Sequence, residues 1–245
     1  MKFLVVLVAL AGAWPLQAMS EPAAGVIRAQ LTARRSAVVA AEIAAKIRQV
    51  HVAEGGAFAA GDALVSLEDS LPRAQVNRAE AVVTATQRTF ASNQRLHRLN
   101  SIGQVELDLS EAEVAKATAE LAYAQAMLAK CRLTAPFSGR VAEKRIHEQE
   151  FVQPGQALLE IIDDQTPEID FIAPSKWLAW VRVGQRIEIT IEETGLAYPA
   201  VVERIGARVD PVSQSIKITA EVIQPATDLM AGMSGLIRVT PESRP

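Results

Sequence analysis

Cysteine is all but missing from this chain of 245 residues: Cys131 stands alone, which excludes an internal disulfide and any cysteine-cluster metal site. Aromatic residues make up only 4%, too few for a platform that stacks nucleic-acid bases or a cage for an aromatic ligand. Excess positive charge is absent too. A net charge of −3 supplies no global attraction for phosphate backbones, so no nucleic-acid partner is expected. His51, His97 and His147 lack ligand spacing such as His-x-x-x-His, and the five methionines are scattered, so neither metal nor cofactor is expected. There is no Gly-x-Ser-x-Gly and no metal-type His/Glu pair, and acids such as Asp163-Asp164 read as a solvated turn; no enzyme is supported. What remains is ordinary globular composition, 49% hydrophobic and 22% charged, enough for one large domain or two to three small modules.

Long apolar runs are lacking except at the start. Lys2 is followed by an unbroken apolar run from Phe3 to Trp14, closed by Pro15 and then by small residues through Ser20. This is the plan of a secretory signal over residues 1–20, with cleavage expected after Ala18 or Ser20. The run is shorter than the roughly 20 residues that span a bilayer. The expected product is an exported, soluble chain without a lipid anchor.

The sequence contains one repeat whose halves lie far apart. At an offset of 94 residues, Ala45 maps to Gly139, Ile47 to Val141, Val52 to Ile146, Gly61 to Gly155, Leu64 to Leu158 and Leu67 to Ile161. Each unit reads as short strands with glycine at the turns, and Gly61, Gly139, Gly155 and Gly232 are taken as structural turn residues. A unit of about thirty residues cannot bury both faces of its strands, whereas two units face to face can. Residues 36–69 and 132–163 are therefore expected to reunite as one sandwich.

Residues 70–131 between the halves contain one glycine, Gly103, and one proline, Pro72, and are rich in helix formers. Leu107, Val114, Leu121 and Leu128 recur every seven residues, with Ser110, Ala117, Ala124 and Cys131 three further on. Val76, Val83 and Phe90, with Ala79, Thr86 and Asn93, repeat likewise. This is a coiled-coil seam with small residues for close approach, broken around Asn100 to Gly103. Two antiparallel helices of about 40 Å are expected. Their tip mixes apolar and basic residues, the usual makings of a contact surface; Arg95, Leu96, Arg98, Leu99, Ser101 and Val105 are the candidate partner-binding residues.

Beyond the repeat, Ile187, Ile189 and Ile191 alternate with polar residues, as do Ile216, Ile218, Ala220 and Val222 with Lys217, Thr219 and Glu221. Period two with Gly and Pro punctuation predicts a small β-barrel over residues 164–242, with residues 21–35 joining its end. The fold class expected is α+β, elongated and multi-module.

In these features the chain resembles the periplasmic adaptor subunits, or membrane fusion proteins (HlyD-like), of bacterial tripartite efflux systems. The resemblance is carried by the split half-motifs, by Leu133-Thr134-Ala135-Pro136-Phe137-Ser138-Gly139-Arg140-Val141, by Val209-Asp210-Pro211-Val212-Ser213-Gln214-Ser215 and by Leu229-Met230-Ala231-Gly232-Met233. It implies a lipoyl-like sandwich interrupted by a hairpin and followed by a barrel. It also implies a periplasmic, ring-forming protein that links an inner-membrane transporter to an outer-membrane channel. The transporter expected is of the resistance-nodulation-division type, with an ABC-type exporter as the alternative. Adaptors for TolC-type channels carry Arg-Leu, a Ser and then an acid across the tip. Arg98-Leu99 fits, whereas Glu106 stands near the Ser position and Ser110-Glu111 near the acid. Only Thr240 to Pro245 follow the last expected strand, so the membrane-proximal domain that many members of the family carry is expected to be absent or reduced. The barrel is expected to pass on changes in the transporter through flexible connections near Asp163 to Pro167. A remote alternative, a biotin or lipoate carrier domain, needs a lysine on the turn joining the halves, where this chain has Glu68-Asp69-Ser70.

Overall fold

In the computed structural model, residues 25–223 and 228–239 are described. The expected targeting stretch 1–20 and the last residues of the expected barrel region lie outside them. The lipoyl-like sandwich is built from β2 (Ser36–Ala40), β3 (Ala45–Val50), β4 (Ala57–Phe58), β5 (Ala63–Leu67), β6 (Arg132–Thr134), β7 (Gly139–Lys144), β8 (Phe151–Val152) and β9 (Ala157–Ile162). Its sheets run β2-β9-β7-β4 and β6-β5-β3-β8. The central pair of each sheet comes from one half of the repeat and the edge strands from the other, so neither half completes a sheet alone.

The 94-residue offset holds down to single hydrogen bonds. Gly55 N–H donates to Val141 at 2.8 Å and its counterpart Gln149 N–H donates to Ile47 at 2.9 Å; Gly61 N–H donates to Ala135 and Gly155 N–H to Ala41, both at 2.8 Å. Gly61 and Gly155 take φ of 87° and 84°, angles that a side chain disfavours, which explains glycine at both turns. Gly232 also has positive φ and donates to Leu31 just ahead of the last strand. Gly139 corrects the sequence expectation. It opens strand β7 rather than a turn, and a Cβ there would lie 2.0 Å from the Ile162 carbonyl oxygen. Its need for glycine is a close approach of two backbones.

The core of this module gathers Ile47, Leu64, Leu67, Leu133, Val141, Ile146, Leu158 and Ile161, drawn from both halves. Cys131 joins it at the foot of the hairpin, 2% exposed. Burial, followed by the negative charges of Asp69 and Glu68, pushes its thiol above the ordinary value. The thiolate is the reacting form, so we expect a thiol reagent at pH 8 to label the folded chain at least about 100-fold more slowly than the urea-unfolded chain. Equal rates would mean that the junction stands open.

The second module is a closed six-stranded barrel, β1-β10-β13-β12-β11-β14, from β1 (Gly25–Thr32), β10 (Glu168–Pro174), β11 (Arg186–Ile191), β12 (Ala197–Asp210), β13 (Ser215–Val222) and β14 (Ser234–Val239). Closure leaves no free edge. The alternation along β11 points Ile187, Ile189 and Ile191 inward with Leu31, Phe171, Ile218 and Ile237. A 3-10 turn at Ser175–Ala179 adds Trp177 to that core. Thr219, expected on the wet face, is buried beneath Asp170, to whose carboxylate its hydroxyl donates at 2.7 Å.

Asp163 departs further from expectation. It is 4% exposed rather than a solvated turn. Arg35 holds it through Nε at 2.9 Å and Nη2 at 2.6 Å, and its backbone N–H donates to the Arg35 carbonyl. The connection thought flexible from Asp163 onward is pinned at its first residue.

Candidate functional site: the hairpin tip

Between β5 and β6 the chain leaves the sandwich as α1 (Ser70–Arg98) and returns as α2 (Gln104–Ala129), 29 and 26 residues long. At 1.5 Å per residue each spans about 40 Å. The seam follows the heptads read from the sequence. Ser110, Ala117 and Ala124 are buried in α2, with Leu107, Val114, Leu121 and Leu128 half-buried beside them. On α1, Val76 is buried and Ala79, Val83, Thr86, Phe90 and Asn93 are half-buried. The small buried residues Ser110, Ala117 and Ala124 of α2 allow the two helices to approach closely. Ser110 is buried in the seam as its spacing predicts, its hydroxyl donating to the Leu107 carbonyl at 2.7 Å.

The foot of the rod is tied to the sandwich by charge. Asp69 accepts from Arg73 at 2.5 Å and from Arg48 of β3 at 3.2 Å, and Lys130 pairs with Glu42 at 3.4 Å. The hydrogen bond from Arg73, helped by the charges of both arginines, holds the Asp69 carboxyl below its ordinary value.

The tip is a tight, hydrogen-bonded turn. Asn100 takes φ of 54°, its N–H donates to His97 at 2.8 Å, and Ser101 N–H donates to Leu96 at 2.8 Å. This is the double hydrogen-bond closure of a helix C-terminus, with asparagine in the left-handed position. His97 Nδ1 lies 3.2 Å from the Ile102 carbonyl oxygen, and Gln104 Nε2 donates to Asp108 at 2.6 Å.

Arg95, His97 and Arg98 occupy the last turn of α1, where positive charge complements the carbonyl end of the helix, and Glu106 sits in the first turn of α2. Helix electrostatics thus account for much of the charge at the tip. They do not account for its apolar residues: Leu99 is 73% exposed, Val105 82%, Leu109 68% and Leu96 39%. Leu99 and Ser101 lie in or beside the turn, and Val105 and Leu109 stand one helical turn apart on α2. Sequence reasoning missed Leu109. Its signal was present, since it stands two places past the seam residue Leu107 and so points away from α1.

A lipoyl-like sandwich split by a helical rod and followed by a closed barrel defines a multi-module architecture with a projecting hairpin. The family model described as "RND MFP, alpha-helical hairpin domain" matches residues 69–137, the rod and its re-entry into the sandwich. Multidrug resistance protein MdtA of Shigella boydii is 27% identical over 172 residues, which is 64% of this chain and 41% of that protein. Among solved structures, a membrane fusion protein of Streptococcus pneumoniae superposes with a TM-score of 0.77 at 19% identity, covering 89% of this chain and 100% of that one. A MacA-MexA chimera with the Pseudomonas aeruginosa MexA α-hairpin gives 0.77 and 19%, covering 89% and 78%. Over residues 69–137 the chain is similar to the hairpin domain of that membrane fusion protein family, and its fold is shared with the solved membrane fusion proteins. It spans about half the length of the curated relatives it matches.

Proposed function

We propose that this protein is a periplasmic adaptor of a tripartite efflux assembly, non-enzymatic, joining an inner-membrane transporter of the resistance-nodulation-division type to an outer-membrane channel. The observation that carries this reading is the exposed apolar set Leu99, Val105 and Leu109 at the end of a rod whose own seam is already closed. Such residues in water gain nothing for the fold and gain free energy only on meeting another surface. A stiff rod of about 40 Å carries that contact well away from the two β modules. The description of the matching hairpin family favours the RND-type partner.

In this reading several copies form a ring, with the hairpin tips toward the channel and the barrels toward the transporter. Residues 1–20 act as the export signal. A photo-cross-linker placed at Val105 in living cells is expected to yield an adduct with an outer-membrane channel protein, and one at Val212 in the β12–β13 turn an adduct with an inner-membrane transporter. Adducts of both with a single soluble enzyme would overturn the proposal. An ATP-binding transporter at Val212 would replace only the RND assignment.

A further inference from the structure

Two connectors, residues 33–35 and 163–167, join the barrel to the sandwich. Thr32 pairs with Glu168 at the barrel end and Ser36 with Ile162 at the sandwich end, so the connectors run side by side. Among the described residues no strand ladder crosses between the modules, and each module has its own apolar core. Their relative angle therefore depends on polar contacts.

Those contacts divide unevenly. Three of the four charged residues in the connectors face the sandwich. Arg35 and Asp163 hold each other while Arg35 lies 4.9 Å over the Phe137 ring, and Asp164 accepts from Arg140 of β7 at 2.5 Å. Arg34 alone turns to the barrel. Its guanidinium lies 3.4 Å from Glu221, 3.5 Å from Glu203 and 4.0 Å from Glu168, on strands β13, β12 and β10. The other cation there is Arg204, 2.5 Å from Glu168 and 4.0 Å from Glu203. One carboxylate oxygen of Glu203 is buried and accepts no hydrogen bond. Three glutamates thus share two arginines, and removing Arg34 leaves them a single cation.

We propose that Arg34 is a detachable latch. Seated among Glu168, Glu203 and Glu221, it holds the barrel at one angle to the sandwich and rod. Unseated, it leaves the Arg34–Arg35 peptide and residues 166–167 as the pivot, because the sandwich side of both connectors stays pinned, Gln165 included through its N–H to Asp163 at 3.2 Å. The Arg34 side chain is 43% exposed, and ion pairs of that exposure are weak and screened by salt, so the latch opens reversibly. The claim concerns this chain alone. If the proposed function also holds, the latch sets how the transporter end is aimed relative to the channel end.

The test uses the purified full chain in a Cys131→Ala background, with nitroxide labels at Asn77→Cys on α1 and Glu188→Cys on β11, both exposed positions. The label-to-label distance distribution, read by pulsed electron spin resonance, is expected to be narrow at low salt. Arg34→Gln should widen it at least about twofold with little change in melting temperature. Salt near about 1 M should widen the Arg34 protein toward the variant and leave the variant as it was. Arg204→Gln, which removes the other cation without touching a connector, should leave the distribution narrow. The latch is refuted by a distribution already broad with Arg34 in place, by one that Arg34→Gln leaves narrow, or by equal widening from Arg204→Gln.

Discussion

Gly139→Ala is expected to destabilise the sandwich by about 3 kcal/mol or more, and Gly139→Val by more still. The added Cβ would meet the Ile162 carbonyl oxygen at 2.0 Å, with the Ile162 carbonyl carbon at 2.9 Å and Asp163 Cα at 3.2 Å. All three are backbone atoms, so no side chain can swing aside. The backbone opposite cannot retreat cheaply either. Arg140, next to Gly139, pairs with Ile162 in the β7–β9 ladder, and Asp163 is clamped by Arg35. For a module of this size a loss of that order lowers the melting transition by more than about 10 °C. Since the barrel has a separate core, calorimetry should show the sandwich melting early while the barrel transition stays near its original temperature. The repeat mate supplies an internal control. Ala45 already carries a methyl group at the matching place in the first half. Ala45→Gly should therefore cost less than about 1 kcal/mol. A Gly139→Ala protein that melts with the wild type would show that the close approach is not a constraint.

Leu99→Asp is expected to reduce export at least about tenfold while leaving the fold intact. Leu99 is 73% exposed and outside the seam, so its loss removes no packing from the rod. A new negative charge at the carbonyl end of α1 costs only about 0.3–1 kcal/mol. That small cost is separable from the loss of an apolar contact. Leu99→Lys places a favourable charge at the same helix end and should impair export as strongly as aspartate does. Val105→Asp, at 82% exposure and in the first turn of α2 where negative charge is welcome, should behave likewise. Efflux assays together with melting curves check all three. Normal export by all three stable variants would remove the tip from the mechanism.

The hairpin shows why some of the site was legible beforehand. Heptad positions are local, and a helix turns each into a definite face, so burial of Ala117, Ala124 and Val76 followed from spacing, and the break near Asn100 from its polar residues and glycine. The seam reading holds for its polar member as well. Ser110 satisfies its hydroxyl within its own helix and so tolerates the interior. Leu109 went unnoticed because exposure of an apolar residue becomes informative only when its neighbours are known.

By itself the sequence determined the elements and the closure of the sandwich. Apolar periodicity and a register repeated after 94 residues are written along the chain, and burial of both half-units has one economical solution. Only the tertiary structure decided which backbone crowds Gly139, that Asp163 is buried against Arg35 from 128 residues earlier, and that Arg34 and Arg35 face different modules. Those outcomes depend on distances between segments remote in sequence, and an isolated charge or glycine carries no sign of what folding will bring beside it.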